Sequence, residues 1–243
     1  MTQAQLKSGS LIAELTPSLV KGELLVSEME VHRIIREAKK IPERYQGLSI
    51  EGLARIALGQ FDEGFALCER SLMLAPNDFV SLCNYAVALR NKGFHLKQNE
   101  IFSKAANSLN PRILADLVEH ATYWADIKTL KKTLPVLIAM DLPDNDDLHQ
   151  GIETIKYYEE HALRGDDMAS IGQLMMSISD KHRLRLAASQ MLNVHSELNA
   201  LIIEVKTEDP AKISALNDEL ADALISAGLA NSECVGYFEA GDL

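Results

Sequence analysis

The stretch GQFDEGFALCERSLMLAPND, residues 59–78, contains the residues that decide how the first half of the chain folds. Gly59 can end a helix in a backbone conformation that few other residues accept. Gly64 and Ser71 are small residues that would let the following helix approach its neighbour closely. Pro76 stops that helix and directs the chain into the next one. The stretch therefore predicts the turn and second helix of a tightly packed helix pair.

The same arrangement returns further along the chain. Gly93 marks a second turn, and the prolines at positions 76, 111 and 143 are spaced by 35 and 32 residues. A third segment, 111–143, keeps the apolar helical spacing but has Trp124-Ala125-Asp126 where the turn glycine would stand. Recurrence at such a period is typical of a helical-repeat array.

This pattern of turn glycine, aromatic residue, small residues and closing proline resembles the tetratricopeptide repeat, whose period is close to 34 residues. The resemblance covers about residues 45–143 and implies antiparallel helix pairs with turns near 59–60, 93–95 and 125. A non-repetitive α-helical bundle is the alternative.

Further helices are predicted on both sides of the repeats, at 17–40 and 147–182. Thr16-Pro17 is typical of a helix cap followed by a first-turn proline. The predicted helical domain therefore spans residues 1–182.

The resemblance also implies a partner-binding groove, because the first helix of each unit lines the concave face in this family. We expect Arg90 and Arg112 to bind a partner's carboxylates or backbone oxygens. Of the clamp that binds chaperone carboxyl termini in some members, only Asn84 has a counterpart, so that ligand is not supported. The groove residues implied are Gln46, Ser49, Leu53, Ile56, Val80, Cys83, Asn84, Val87, Arg90, Asn91, Arg112, Ala115, Glu119 and Tyr123.

The pattern changes near residue 183. In 198–206, Leu201, Ile203 and Val205 alternate as in a strand. Asp209-Pro210 then opens a helix that ends at Gly228, and 234–238 is typical of a closing strand. We predict a small α+β unit over 183–243, with 184–194 undecided between strand and helix end; the alternative is that helices continue through 206.

The net charge of −11 is unevenly distributed. Residues from Pro143 onward carry −12 and residues 1–142 carry +1. Phosphates would be repelled by the acidic half, so no nucleic-acid partner is predicted there, whereas a basic protein partner is permitted. Solubility is the alternative explanation of the acidity.

No catalytic, metal or cofactor motif is recognisable. Cys68, Cys83 and Cys234 form no CxxC pair, and the histidines form no HExxH motif and are interpreted as helix-surface residues. The acidic run 144–147 lacks the glycine and distal glutamate of a calcium loop and is interpreted as a solvated loop. No apolar run of about 18 residues and no signal-like amino terminus are present, so we expect a cytoplasmic protein.

These observations predict a non-catalytic, mainly α-helical scaffold, adaptor or regulator that binds a protein or peptide, with no cofactor, metal or membrane contact. A specific version is an antitoxin, immunity protein or secretion chaperone that covers a basic partner. One alternative is an enzyme or small-ligand sensor with its site in the α+β unit or where that unit joins the helices. Another is an assembly subunit that self-associates through its carboxy-terminal strands.

Overall fold

A computed structural model of the chain describes residues 3–140, 146–161, 165–194 and 198–242. Within these residues the protein is mainly α-helical, with eleven helices. A three-stranded sheet lies toward the carboxyl terminus, and the last helix connects its second and third strands. The predicted fold class is thus confirmed. The chain divides into two compact units, Met1–Lys92 (unit 1) and Gly93–Leu243 (unit 2).

Unit 1 contains α1 (Gln3–Lys21), α2 (Glu28–Ala38), α3 (Arg44–Ala57), α4 (Phe61–Leu74) and α5 (Phe79–Asn91). Local signals set several of the boundaries. Ser27 and Glu30 form a capping box that begins α2, and the Asp78 carboxylate accepts a hydrogen bond from the Ser81 amide, 3.0 Å away, at the start of α5. Gly59 follows α3 with a φ of 78°, as its position in the sequence predicts.

Helix α3 is the centre of unit 1, where it packs against α1, α2, α4 and α5. Almost every residue from Gly47 to Ala57 is buried, which is the pattern of a helix covered on all sides. At the crossing of α3 and α4, the Ser71 hydroxyl donates a hydrogen bond of 2.7 Å to the Tyr45 carbonyl.

Pro17 lies inside α1, so the prediction of a helix start at Thr16-Pro17 is wrong. The helix continues through the proline because Leu15 and Leu19, on either side of it, are both buried, at 0% and 3% exposure. Their burial stabilises a segment in which a proline removes one backbone hydrogen bond.

Unit 2 contains α6 (His95–Ala105), α7 (Pro111–Tyr123), α8 (Ile127–Ile138), α9 (Asp146–Glu160) and α10 (Gly165–Lys181). They are followed by β1 (Leu186–Val194), β2 (Leu198–Lys206), α11 (Pro210–Ser226) and β3 (Cys234–Gly241). Strand β2 is central: it pairs antiparallel with β1 and parallel with β3, and α11 makes the crossover.

The turns predicted near 59–60, 93–95 and 125 all separate helices in the structure. At the third turn Ala125 takes the left-handed conformation, with a φ of 56°, in place of a glycine. Its carbonyl accepts a hydrogen bond of 2.9 Å from the Tyr158 hydroxyl, which helps to hold this unfavourable conformation. No strand occurs among residues 45–140; Pro143 and part of the acidic run 144–147 lie outside the described residues.

The carboxy-terminal strand–helix–strand prediction is confirmed, and the undecided segment 184–194 contains β1. The sheet does not stand apart from the helices. One face of it packs in a single core with α10, where Met175 and Ile171 share a cluster with Leu201, Ile203 and Phe238. For this reason the compact units divide at 92/93, whereas the sequence predicted a boundary at 182/183.

Candidate interaction sites

Three of the four predicted groove residues on α3 are buried. Ser49 is 2% exposed, and Leu53 and Ile56 are fully buried. Helix α1, which the repeat pattern did not include, packs against both α3 and α5, the two helices expected to line the groove in unit 1. These three side chains therefore pack inside unit 1 instead of lining an open surface.

Helix α1 presents one apolar stripe to this face. Leu11, Leu15 and Leu19 recur every four residues and are 4%, 0% and 3% exposed. Asn91 of α5 binds the carboxyl end of α1. Its side-chain amide donates a hydrogen bond of 3.0 Å to the Leu19 carbonyl. The backbone at Gly22 passes so close to Asn91 that a Cβ there would lie 2.1 Å from the Asn91 carbonyl oxygen. Asn91, predicted to bind a partner, thus holds α1.

Ion pairs fasten α1 to α2. The Lys7 ammonium lies 2.6 Å from the Glu37 carboxylate, and Arg33 pairs with Glu14. All four side chains are partly exposed, so each pair contributes modestly and weakens with salt.

The other groove residues of unit 1 are more accessible. Val80 is 38% exposed, and Gln46, Cys83, Asn84, Val87 and Arg90 are half-buried. The Gln46 side-chain amide donates a hydrogen bond of 3.1 Å to the neighbouring Tyr45 hydroxyl.

The groove residues predicted on α7 belong to unit 2. Arg112 is exposed, and Ala115 and Glu119 are half-buried. Tyr123 has a structural role: its hydroxyl donates a hydrogen bond of 2.9 Å to the Ala188 carbonyl on β1. The Ser189 hydroxyl in turn donates one of 2.7 Å to the Tyr123 carbonyl. Tyr123 therefore joins α7 to the sheet.

Unit 2 also contains a cleft of about 710 Å³, bounded by α6, α7, the α7–α8 turn and α10, which we name the α10 cleft. Polar groups from separate segments converge on an apolar floor that includes Trp124, Leu174 and Met176. The polar lining residues are Asn99, His120, Asp126, Lys128, Thr129, Asp166, Ser170 and Gln173.

Several polar groups of the α10 cleft bind each other. The Asp126 carboxylate caps α8, accepting hydrogen bonds from the Thr129 amide (3.1 Å) and hydroxyl (2.6 Å). Lys128 Nζ lies 2.7 Å from Asp166 Oδ1, and this hydrogen bond raises the pKa of the lysine and favours its charged form. The cleft therefore has charges of both signs at its rim.

Deeper in the α10 cleft, His120 Nε2 lies 3.1 Å from Asn99 Oδ1, and the imidazole packs against the Phe102 ring. The Ser170 hydroxyl donates to the Asp166 carbonyl of its own helix at 2.6 Å, which is not the geometry of a nucleophile activated by a base. Among the described residues, no group of three or more histidine, cysteine, aspartate or glutamate side chains is arranged to hold a metal ion. The arrangement is suited to binding a polar molecule.

The interpretation of the histidines as helix-surface residues is wrong for two of them. His120 is 8% exposed, and His95 is fully buried, with Nε2 2.9 Å from the Leu184 carbonyl. The sequence does contain a signal for His120, which lies three residues after Leu117 and four before Trp124 on the buried stripe of α7.

No protein-family model matches the chain, and no curated protein or solved structure matches it significantly. The resemblance to tetratricopeptide repeats thus remains a prediction from the residues. Of the helices described, none is long and apolar enough to cross a lipid bilayer.

Proposed function

We propose that this protein is a non-catalytic scaffold that binds a protein partner in the cytoplasm, and that unit 1 recognises an amphipathic helix. The observation that supports this is the position of α1 across α3 and α5. In tetratricopeptide repeats, which the chain resembles, the first helix of each unit lines the binding groove. In this protein the corresponding helices, α3 and α5, already pack against α1 and its stripe of buried leucines. A partner helix with leucines at the same spacing would bind by displacing α1.

Displacing α1 has an energetic cost that a partner must offset. Burying each of Leu11, Leu15 and Leu19 contributes roughly 1.5–3 kcal/mol, so α1 is held firmly. Because α1 is tethered, it competes with an effective concentration in the millimolar range. A physiological partner must therefore bind the α3–α5 face more tightly than α1 does, or act when α1 is loosened.

A peptide exchange experiment tests this proposal. A fluorescent peptide corresponding to residues 3–22 is added to the full-length protein and to its Leu15→Ala variant, and anisotropy is measured. Truncating a buried leucine weakens packing by about 2–5 kcal/mol, so the variant should bind the peptide in trans while the wild-type protein excludes it. Val20→Ala is the matched control, because Val20 is 59% exposed on the same helix.

Circular dichroism shows whether the Leu15→Ala variant stays folded. If the folded variant binds no more peptide than the Val20→Ala control does, the α3–α5 face does not recognise helices in trans and the proposal fails.

The α10 cleft favours a second candidate function, the sensing of a small polar ligand. Its convergent amides, hydroxyls and charges are the feature expected of such a site. A thermal-shift screen with nucleotides, amino acids and small organic acids tests it, because a ligand that binds only the folded protein raises the unfolding temperature. A shift that Gln173→Ala abolishes would support this function, and the absence of any shift would count against it.

A further inference from the structure

The carboxy-terminal sheet has a second face, opposite the one on which α10 and α11 pack. Side chains alternate along a strand, so the residues between Leu201, Ile203 and Val205 point away from the core. The register of the three strands places five apolar side chains together on that side: Leu192, Ala200, Ile202, Val235 and Tyr237. We name this set the second face.

The second face is accessible at its flanking strands. Leu192 on β1 is 43% exposed, and Val235 and Tyr237 on β3 are half-buried. Ala200 and Ile202, between them on β2, are each 1% exposed. A partner laid on this face would therefore contact Leu192, Val235 and Tyr237, and not the buried Ala200 and Ile202. Accessible apolar side chains that include an aromatic residue are typical of a protein interface.

The edges of the sheet are less open than its second face. On β3, the Asn217 side chain accepts a hydrogen bond from the Phe238 amide (2.7 Å) and donates one to the Phe238 carbonyl (2.9 Å). On β1, the Ala188 carbonyl accepts from the Tyr123 hydroxyl. An added strand would need these backbone groups for its own hydrogen bonds, but side chains already bind them. Binding to the second face is therefore favoured over addition of a strand at an edge.

Charge indicates which partner fits. Glu204 and Glu239 are register neighbours on the same side as the second face, and neither forms an ion pair with the residues the structure describes. Lys206, at the end of β2, is also on this side. The two carboxylates outnumber this lysine, so this side of the sheet has a net negative charge, which favours a basic partner.

We propose that the second face binds a basic amphipathic protein segment. Apolar side chains of the partner pack on Leu192 and Tyr237, and its lysines or arginines pair with Glu204 and Glu239. This inference goes beyond the helix exchange proposed for unit 1 and does not depend on it, because the second face lies entirely within unit 2.

The test uses the full-length protein and a short synthetic amphipathic peptide of lysine and leucine as the probe. Its affinity is measured by calorimetry for the wild-type protein, for Glu204→Lys/Glu239→Lys, and for the matched control Asp218→Lys/Asp222→Lys. Both double variants change the net charge equally, but Asp218 and Asp222 lie on the exposed side of α11. We expect roughly tenfold weaker binding for the first variant and little change for the control.

A second pair of variants tests the apolar part of the surface. Tyr237→Ala should weaken binding of the probe severalfold, whereas Ile225→Ala, which truncates a side chain 65% exposed on α11, should not. Amide chemical shifts in wild-type protein should change at Leu192, Val235 and Tyr237 on addition of the probe.

Three results would overturn the inference. Equal weakening by both charge variants would mean that the peptide responds to net charge alone. Shift changes confined to other surfaces would place the probe elsewhere. Sedimentation of a dimer that Tyr237→Ala dissociates would assign the second face to another copy of this chain. None of these results bears on peptide exchange in unit 1, so failure of one proposal is distinguishable from failure of the other.

Discussion

Gly64 lies where α4 crosses α3, at a point that leaves no space for a side chain. A Cβ at this position would lie 2.6 Å from Ile56 Cγ1 and 2.9 Å from the Gly52 carbonyl oxygen. We expect Gly64→Leu to destabilise the protein by roughly 1–3 kcal/mol through overpacking, and Gly64→Ala to destabilise it in the same direction. Denaturant unfolding measures both changes.

Gly9 provides the matched control for Gly64→Ala. It also lies within a helix, but a Cβ there would have no neighbour within 4 Å. Gly9→Ala should therefore leave the free energy of unfolding unchanged or raise it by up to about 1 kcal/mol, through helix propensity. If both alanine variants have the same stability, the close crossing of α3 and α4 is not the reason for a glycine at position 64.

Cys68 is held at the same crossing and should be unreactive. Cys68 is 2% exposed, and burial raises the pKa of its thiol, which is therefore protonated at neutral pH. Burial also raises the pKa of Cys234. Half-buried Cys83 should therefore be alkylated first by iodoacetamide at pH 8, which peptide mass spectrometry can measure. Faster labelling of Cys68 than of Cys83 in the native protein would contradict the packing of α3 on α4.

The attachment of α1 to α2 should depend on pH through Glu37. Its carboxylate accepts hydrogen bonds of 2.6 Å from Lys40 and from Lys7 of α1, which lower its pKa to about 2. A folded-state pKa below the usual value of 4.5 means that these interactions stabilise the folded protein fully above about pH 4.5. That stabilisation is lost as the pH falls toward 2.

Glu37→Gln should remove this dependence. Between pH 5 and pH 3 the variant should lose less stability than the wild-type protein, and the difference should shrink in high salt because the side chains are exposed. Glu28→Gln is the control, since Glu28 is exposed on the same helix and forms no ion pair with the residues that the structure describes. Urea midpoints that fall equally with pH in the wild-type protein and in Glu37→Gln would contradict a role for this carboxylate.

The two compact units should behave differently when the chain is cut at different places. Fragments 1–92 and 93–243 each keep a complete set of packed helices, so both should fold. A cut at 182/183 separates α10 from the sheet and exposes Ile171 and Met175 on one side and Leu201 and Phe238 on the other. Fragment 183–243 should therefore lack stable tertiary structure, because three strands and one helix cannot bury that face alone.

Amide spectra of the fragments measure this difference. We expect dispersed signals for 93–243 and collapsed signals for 183–243. A well-dispersed spectrum of 183–243 alone would show that this segment is an independent domain and would contradict the prediction.

Local features of the structure were predictable because their physical causes lie within a few residues in the chain. Gly59 and Gly93 take the positive φ that ends a helix, with values of 78° and 76°. Asp209 caps α11 directly before Pro210, accepting a hydrogen bond of 3.0 Å from the Ala211 amide. The alternation along 198–206 corresponds to β2, whose Leu201, Ile203 and Val205 belong to the core shared with α10. Ala200 and Ile202 on the other side of the strand are also buried, which the alternation did not predict.

Features that depend on distant residues were not predictable in this way. Pro17 is typical of a helix start, yet α1 continues through it because helices distant in the sequence bury Leu15 and Leu19. His120 has the spacing of a buried residue, but only the packing of α6 and α10 around it forms the α10 cleft.

For this protein, the sequence alone determined the mainly helical fold, the turns and the strand–helix–strand order, since backbone geometry and side-chain spacing are local properties. Only the tertiary structure decided that α1 packs on α3 and α5 and that α10 belongs with the sheet. It also decided that Leu192, Val235 and Tyr237 are accessible on the second face. An apolar stripe shows that a helix face must be buried, but which other element buries it depends on contacts between segments far apart in the chain.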